Sequence, residues 1–182
     1  MAGTTIKNIL LTGASGAVGS QVLKQLHVAN KLNGVTVLVR ASKNTRKVIK
    51  PFGDKIKVIY GDITNRAIVQ KAVKNQDVVI HLAAIIPTVE DDNDDLVSRV
   101  NVGGTENIVR SMETECPNAL LLFSSSIALY GDRIKDPDIR VSDPPKGLDH
   151  DNYSRTKVDA ETIIKSSKLN WSIFRLTVIM GI

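Results

Sequence analysis

The sequence is short of the residues that build cross-linked, metal-centred or membrane-spanning proteins. Its 182 residues include one cysteine, three histidines and one tryptophan, and aromatic residues make up only 4%. A single cysteine, Cys116, excludes an internal disulfide and with it the small secreted scaffolds that depend on such links. His27, His81 and His150 lie far apart with no metal-ligand spacing, so no metal site is expected. No apolar run reaches the roughly 18 residues of a membrane helix. The first residues, Met1 to Lys7, carry one charge and pass straight into a strand-like run, without the pattern of a secretory leader. A cytoplasmic location is the natural default. The net charge of +5 is mild for this length, and the basic stretch from Arg40 to Lys50 is too little by itself to imply nucleic acid. What is present, 42% apolar and 24% charged residues, suits one soluble domain with one core.

Short β-branched runs alternate with longer amphipathic stretches. Strands are expected at 8–11, 35–39, 56–60, 77–82, 119–123 and 171–176. Helices are expected at 18–29, 66–75, 95–115 and 153–167, with a basic linker between the second and third strands. The run 77–82 is nearly all apolar, as a sheet covered on both faces requires. Strict alternation of strand and helix predicts an α/β fold, a doubly wound parallel sheet with helices on both faces. Two stretches break the rhythm. Residues 132–152 hold three of the six prolines and many charges, and read as a functional loop. Residues 90–95 are acidic and read as a solvated loop that puts negative charge at a helix N-terminus.

The first strand runs into Gly13-Ala14-Ser15-Gly16-Ala17-Val18-Gly19 and then into a helix. Gly13 allows a tight turn, Gly16 lets backbone approach a phosphate, and Gly19 lets the helix pack close to the sheet. The N–H groups and partial positive charge of the helix N-terminus suit a pyrophosphate, so this turn is expected to bind a dinucleotide.

The spacing is Gly-x-x-Gly-x-x-Gly. With Tyr153-Ser154-Arg155-Thr156-Lys157 added, the chain resembles the extended short-chain dehydrogenase/reductases, in particular the NAD-dependent epimerase/dehydratase group of the UDP-glucose 4-epimerase type. The other segments that match in order are Gly61-Asp62-Ile63, His81-Leu82-Ala83-Ala84, Asn101-Val102-Gly103-Gly104-Thr105 and Phe123 to Gly131. The resemblance implies an NAD(P)-binding Rossmann-like fold. Gly13, Ser15, Gly16, Ala17, Val18 and Gly19 would hold the pyrophosphate, and Asp62 and Ile63 would contact adenine. Leu82, Ala83 and Ala84 would line the groove, Asn101 would sit near the cofactor, and Ser124 would lie beside the nicotinamide. Ser126, Tyr153 and Lys157 would be catalytic, with Tyr153 and Lys157 also holding the cofactor.

Four residues apart on a helix, Tyr153 and Lys157 share a face. A phenol ordinarily ionises near 10, and lowering that to near 7 takes roughly 4 kcal/mol of differential interaction. The Lys157 ammonium and a positive nicotinamide ring are expected to supply it. The phenolate would take a hydroxyl proton as hydride leaves, or return it in reverse, while Ser126 hydrogen-bonds the reacting oxygen. The 4,6-dehydratases of this family carry Thr-Asp-Glu where this chain has Ser126-Ile127-Ala128, so dehydration is disfavoured and epimerase or reductase remains.

At the end of the second strand an NAD-type site places Asp or Glu. Here stand Arg40 and then Lys43, which suit a 2′-phosphate and favour NADP over NAD. The substrate is expected to be a small molecule bearing a hydroxyl or carbonyl, such as a nucleotide sugar. The resemblance also implies a smaller C-terminal substrate domain, most of which would lie beyond Ile182. Surface left open by its absence would invite a homodimer. The competing function is a dinucleotide-binding, redox-sensing module without turnover.

Overall fold

The computed structural model describes residues 6–87, 93–148, 151–177 and 179. The chain forms β1 (Ile9–Thr12), α1 (Ala17–Val28), β2 (Val35–Val39), α2 (Lys43–Ile49), β3 (Lys57–Tyr60), α3 (Arg66–Val73) and β4 (Val78–His81). It continues with α4 (Asp94–Ser98), α5 (Gly104–Glu115), β5 (Leu120–Ser126), α6 (Asn152–Ser166) and β6 (Asn170–Leu176). The six strands make one parallel sheet in the order β3-β2-β1-β4-β5-β6. The chain winds outward from β1 to β3, returns, and winds the other way from β4. The order therefore reverses between β1 and β4, where a crevice opens at the carboxyl ends of the strands.

Neighbouring side chains of β1 serve opposite faces. Leu11 packs with Leu23, Val37 and Phe52 in the layer of α1 and α2, and Leu10 packs with Val69, Met112, Leu121 and Ile164 in the layer of α3, α5 and α6. A strand buried on both sides reads as a continuous apolar run, which is why β1, β2 and β4 stand out in the sequence. The expected doubly wound sheet is the observed one. Among the described residues no helix is long and apolar enough to cross a membrane.

Three expectations are corrected. The basic stretch after β2 is no linker but α2 and a 3₁₀ extension, Lys50–Lys55. The Ser42 hydroxyl caps α2 by accepting from Thr45 N at 3.0 Å, and Ile49 and Phe52 bury themselves beneath the lysines. The helix expected over 95–115 is interrupted by a π-helical turn, Arg99–Gly103, around the buried Asn101. β5 continues past Phe123 through Ser124, Ser125 and Ser126, which pair with Phe174, Arg175 and Leu176 of β6. The serines hid this end of the strand because their partners, not their own apolarity, hold them there.

The loop after β5 carries a 3₁₀ turn, Ile127–Tyr130, and then no helix or strand over the described residues up to Gly147. Arg133 organises it, pairing with the Asp136 and Asp143 carboxylates at 2.9 and 3.0 Å. Residues 90–92 of the acidic run at 90–95 lie outside the described residues. Its end behaves as expected: Asn93 caps α4, and Asp94 and Asp95 occupy the first turn.

α6 is fastened to the edge strand β6 by a buried carboxylate. Glu161 is 1% exposed and accepts from Arg175 Nε at 2.9 Å, Arg175 Nη2 at 2.7 Å and Lys165 Nζ at 2.7 Å. Burial would raise its pKa, but these charged partners outweigh it and hold the carboxyl at about 2 against an ordinary 4.5. A depressed carboxylate contributes stability that is complete above its unfolded pKa and is lost as pH falls toward the folded one. Thermal unfolding should therefore show a fall in Tm between about pH 4.5 and 2 that Glu161→Gln flattens, together with a lower Tm for the variant at pH 7. An acid limb that the substitution leaves untouched would contradict this account.

Candidate active site

The turn between β1 and α1 carries three glycines, two of which its geometry requires. Gly13 has φ +70°, and a Cβ there would lie 2.7 Å from Ala83 N and from the Leu82 carbonyl carbon. The left-handed backbone and the press against the end of β4 both require glycine. A Cβ on Gly19 would fall 2.2 Å from Gly13 O. Gly19 thus makes room for the turn's own backbone, which corrects its expected role in packing the helix on the sheet. A Cβ on Gly16 would meet only Gly13 O at 3.4 Å, so the fold does not need glycine there. Its bare backbone is free for a ligand that must come close. Gly16 is also the N-cap of α1 and makes no side-chain capping bond, leaving the first-turn N–H groups without a side-chain acceptor.

Gly13 and Gly16 open onto a cleft of about 530 Å³ at the β1/β4 reversal. Gly13, Ser15, Gly16, Arg40, Asp62, Ile63, Leu82, Ala83 and Ala84 are among the residues that line it. Ala17, Val18 and Gly19 do not line the cleft and form the first turn of α1. Lys43 does not line it either; Ser42, Asn44 and Thr45 do, since α2 begins there. A stretch read as linker could not reveal which of its residues face the cleft. Arg40 and Asp62 interact across it. Burial would raise the Asp62 carboxyl, but bonds from Thr64 and the charges of Arg40 and Arg99 hold it below the ordinary carboxylate value.

Asn101 is not among the cleft-lining residues. It is 3% exposed, and its amide grips the segment after β4, accepting from Ile85 N at 2.8 Å and donating to Ile85 O at 2.9 Å. It also donates to Thr156 Oγ1 on α6 at 3.2 Å.

Ser126, Tyr153 and Lys157 gather one strand further along. Ser126 ends β5, and its Oγ accepts from Ala128 N at 3.1 Å. Tyr153 lies in the first turn of α6, capped by Asp151, whose carboxylate accepts from Tyr153 N at 3.0 Å. Lys157 is buried, donates from Nζ to Ser124 O at 2.8 Å, and holds that nitrogen 5.6 Å from the Tyr153 ring centre and 5.0 Å from that of Phe123. Ser124 thus supplies its backbone carbonyl to the lysine, a role its side chain could not announce.

Burial dominates the electrostatics of Tyr153 and Lys157 in the chain by itself. Burial raises the Tyr153 phenol above its ordinary pKa, Ser126 pulls it back in part, and the Asp151 carboxylate pushes it up again. Burial instead lowers the Lys157 ammonium to about 8, against the opposing pull of Glu161.

A Gly-rich turn at a sheet reversal, with a serine, tyrosine and buried lysine at the neighbouring strand end, defines a dinucleotide-binding domain of the short-chain dehydrogenase/reductase class. The model of the NAD dependent epimerase/dehydratase family matches residues 9–181, and the chain belongs to that family. It is 34% identical over 159 residues to short-chain dehydrogenase/reductase family 42E member 1 of Homo sapiens, covering 85% of this chain and 39% of that protein. It is 30% identical over 185 residues to N-acetyl-alpha-D-glucosaminyl-diphospho-ditrans,octacis-undecaprenol 4-epimerase of Escherichia coli O157:H7, covering 96% and 49%. Among solved structures, the enzyme WbmG of Bordetella bronchiseptica in complex with NAD and UDP superposes with a TM-score of 0.80 at 21% identity, over 94% of this chain and 53% of that one. The chain spans about half the length of these proteins or less.

The two inner glycines should separate on substitution. Gly19→Ala forces the turn apart and should cost about 1–3 kcal/mol in denaturant unfolding, as overpacking does. Gly16→Ala should leave stability nearly unchanged. Equal losses for both would show that the turn's own geometry does not explain Gly19.

Proposed function

We propose that this chain is the cofactor-binding half of an NADP-dependent oxidoreductase or epimerase that moves hydride between a hydroxyl or carbonyl group and nicotinamide. The observation that carries this reading is the gathering of Ser126, Tyr153 and Lys157 at the end of β5, the strand next to β4, together with a glycine turn at the β1/β4 reversal that fits a pyrophosphate. The residues present suit the whole cofactor. Gly13 to Gly16 and the uncapped start of α1 would take the pyrophosphate, and Asp62 and Ile63 the adenine end. Arg40 follows the last residue of β2, lines the cleft, and offers a guanidinium where a 2′-phosphate would lie. When bound, the nicotinamide supplies or accepts the hydride.

The chain's own residues manage the proton. With its pKa raised, Tyr153 keeps its proton at pH 7 and is ready to donate it to a carbonyl oxygen held by the Ser126 hydroxyl. Lys157, fixed by Ser124 O and by the Phe123 ring, presents its ammonium to the ribose side of the site. A sensing module without turnover would have no use for a half-buried phenol beside a buried lysine. Ile127 and Ala128 follow Ser126 in the 3₁₀ turn and offer no carboxyl for an elimination step, so epimerisation or reduction fits and dehydration does not. The substrate class we favour is a nucleotide sugar, in keeping with the 4-epimerases among the relatives.

Titration by cofactor fluorescence should show NADPH binding at least about tenfold more tightly than NADH, the scale of a charge-assisted hydrogen bond, and Arg40→Ala should narrow that gap. A parent preference for NADH would overturn the NADP assignment. Tyr153→Phe should keep NADPH affinity while losing most turnover, and full turnover in that variant would remove the phenol from the mechanism.

A further inference from the structure

One buried titratable group stands outside the proton chemistry above and lies between β1, α5 and β5. His81, the last residue of β4, is wholly buried. Its Nδ1 lies 2.8 Å from Thr12 Oγ1, and its Nε2 lies 3.1 Å from Thr105 Oγ1.

The directions of these bonds follow from their neighbours. Thr12 Oγ1 already accepts from Leu82 N and Ala83 N, both at 3.2 Å, so its one proton points to His81 Nδ1. Thr105 Oγ1 donates to Asn101 O at 2.6 Å and can only accept from the ring. The imidazole therefore carries its proton on Nε2, and every polar atom of the relay has a partner. The other tautomer would leave the Thr12 proton without an acceptor and would take Thr105 from Asn101 O. Burial and the nearby Lys157 charge push the His81 pKa down to about 3, which keeps the ring neutral.

The relay reaches both halves of the site. On one side Thr12 precedes Gly13 and ties β1 to the Leu82–Ala83 wall of the cleft. On the other side Thr105 leads to Asn101, then to Thr156 and the Tyr153 carbonyl, to which Thr156 Oγ1 donates at 2.8 Å. The His81 ring also lies 5.5 Å from that of Phe123, over which Lys157 sits.

We propose that His81 is a positioning residue, a neutral Nε2–H imidazole that couples the pyrophosphate turn to helix α6 through Thr12 on one side and Thr105 and Asn101 on the other. The proposal rests on the cofactor reading above for its functional consequence, but the wiring itself does not.

Thr105 does not line the cleft, so it tests the coupling without removing a lining side chain. Thr105→Val keeps the shape and removes both hydrogen bonds. It should raise the NADPH Kd by roughly fivefold or more, on the scale of a broken buried hydrogen bond acting at a distance. Thr105→Ser, which keeps the hydroxyl, should retain the parent Kd. Val69→Ala, a core truncation in α3, should lower Tm without raising Kd. Nitrogen-15 NMR of the parent at pH 7, with His81 assigned by the signal lost in His81→Gln, should show the Nε2–H tautomer. An unchanged Kd in Thr105→Val, an equal rise in Val69→Ala, or the Nδ1–H tautomer would overturn the proposal. Should the parent bind neither NADPH nor NADH, the cofactor reading fails, and the tautomer alone decides whether the relay stands.

Discussion

The close approach of β1 to the end of β4 governs the rest of the molecule. Gly13 stands where any side chain would strike Ala83 N, and Thr12 takes the N–H groups of Leu82 and Ala83 onto its hydroxyl. These contacts bring the glycine turn and the groove wall together at the reversal of the sheet. A crevice there is the consequence of the winding order, and its chemistry comes from what the loops place at its rim. Arg40 and Asp62 reach it from the outer strands, and the serine, tyrosine and lysine group arrives from β5 and α6.

Buried charge is handled differently at two successive turns of α6. Glu161 is enclosed with Arg175 and Lys165 and stays ionised. Lys157, one turn earlier, has a backbone carbonyl, an aromatic face and only the distant pull of Glu161, and its pKa falls. The first arrangement anchors the helix, and the second leaves a cation whose proton is held loosely near the site. A buried polar group is costly unless every atom finds a partner, which is why the His81 relay, with all its bonds satisfied, can lie in the middle of the core.

Much of the fold was legible because burial on both faces imposes an unmistakable pattern. The strands with Leu10, Val37 and Val79 read directly from apolar runs. The glycine turn read from spacing, and so did Tyr153 and Lys157. The pattern failed where a different force holds the chain. Ser42 caps α2 within a basic stretch that resembles a linker, and Ser124 to Ser126 belong to β5 because β6 pairs with them. Asn101 is bonded to Ile85, which lines the cleft, and to Thr156, partners that no local pattern reveals.

The sequence by itself determined the alternation of strand and helix, the turn that fits a pyrophosphate and the residues available for proton transfer, because these depend on local spacing and periodicity. Only the tertiary structure decided that Gly19 serves the turn and not the sheet, that burial raises the Tyr153 phenol, and that His81 joins the two halves of the site. Those properties arise from groups far apart in the chain, Thr12 with His81 and Ser124 with Lys157, whose distances no local pattern encodes.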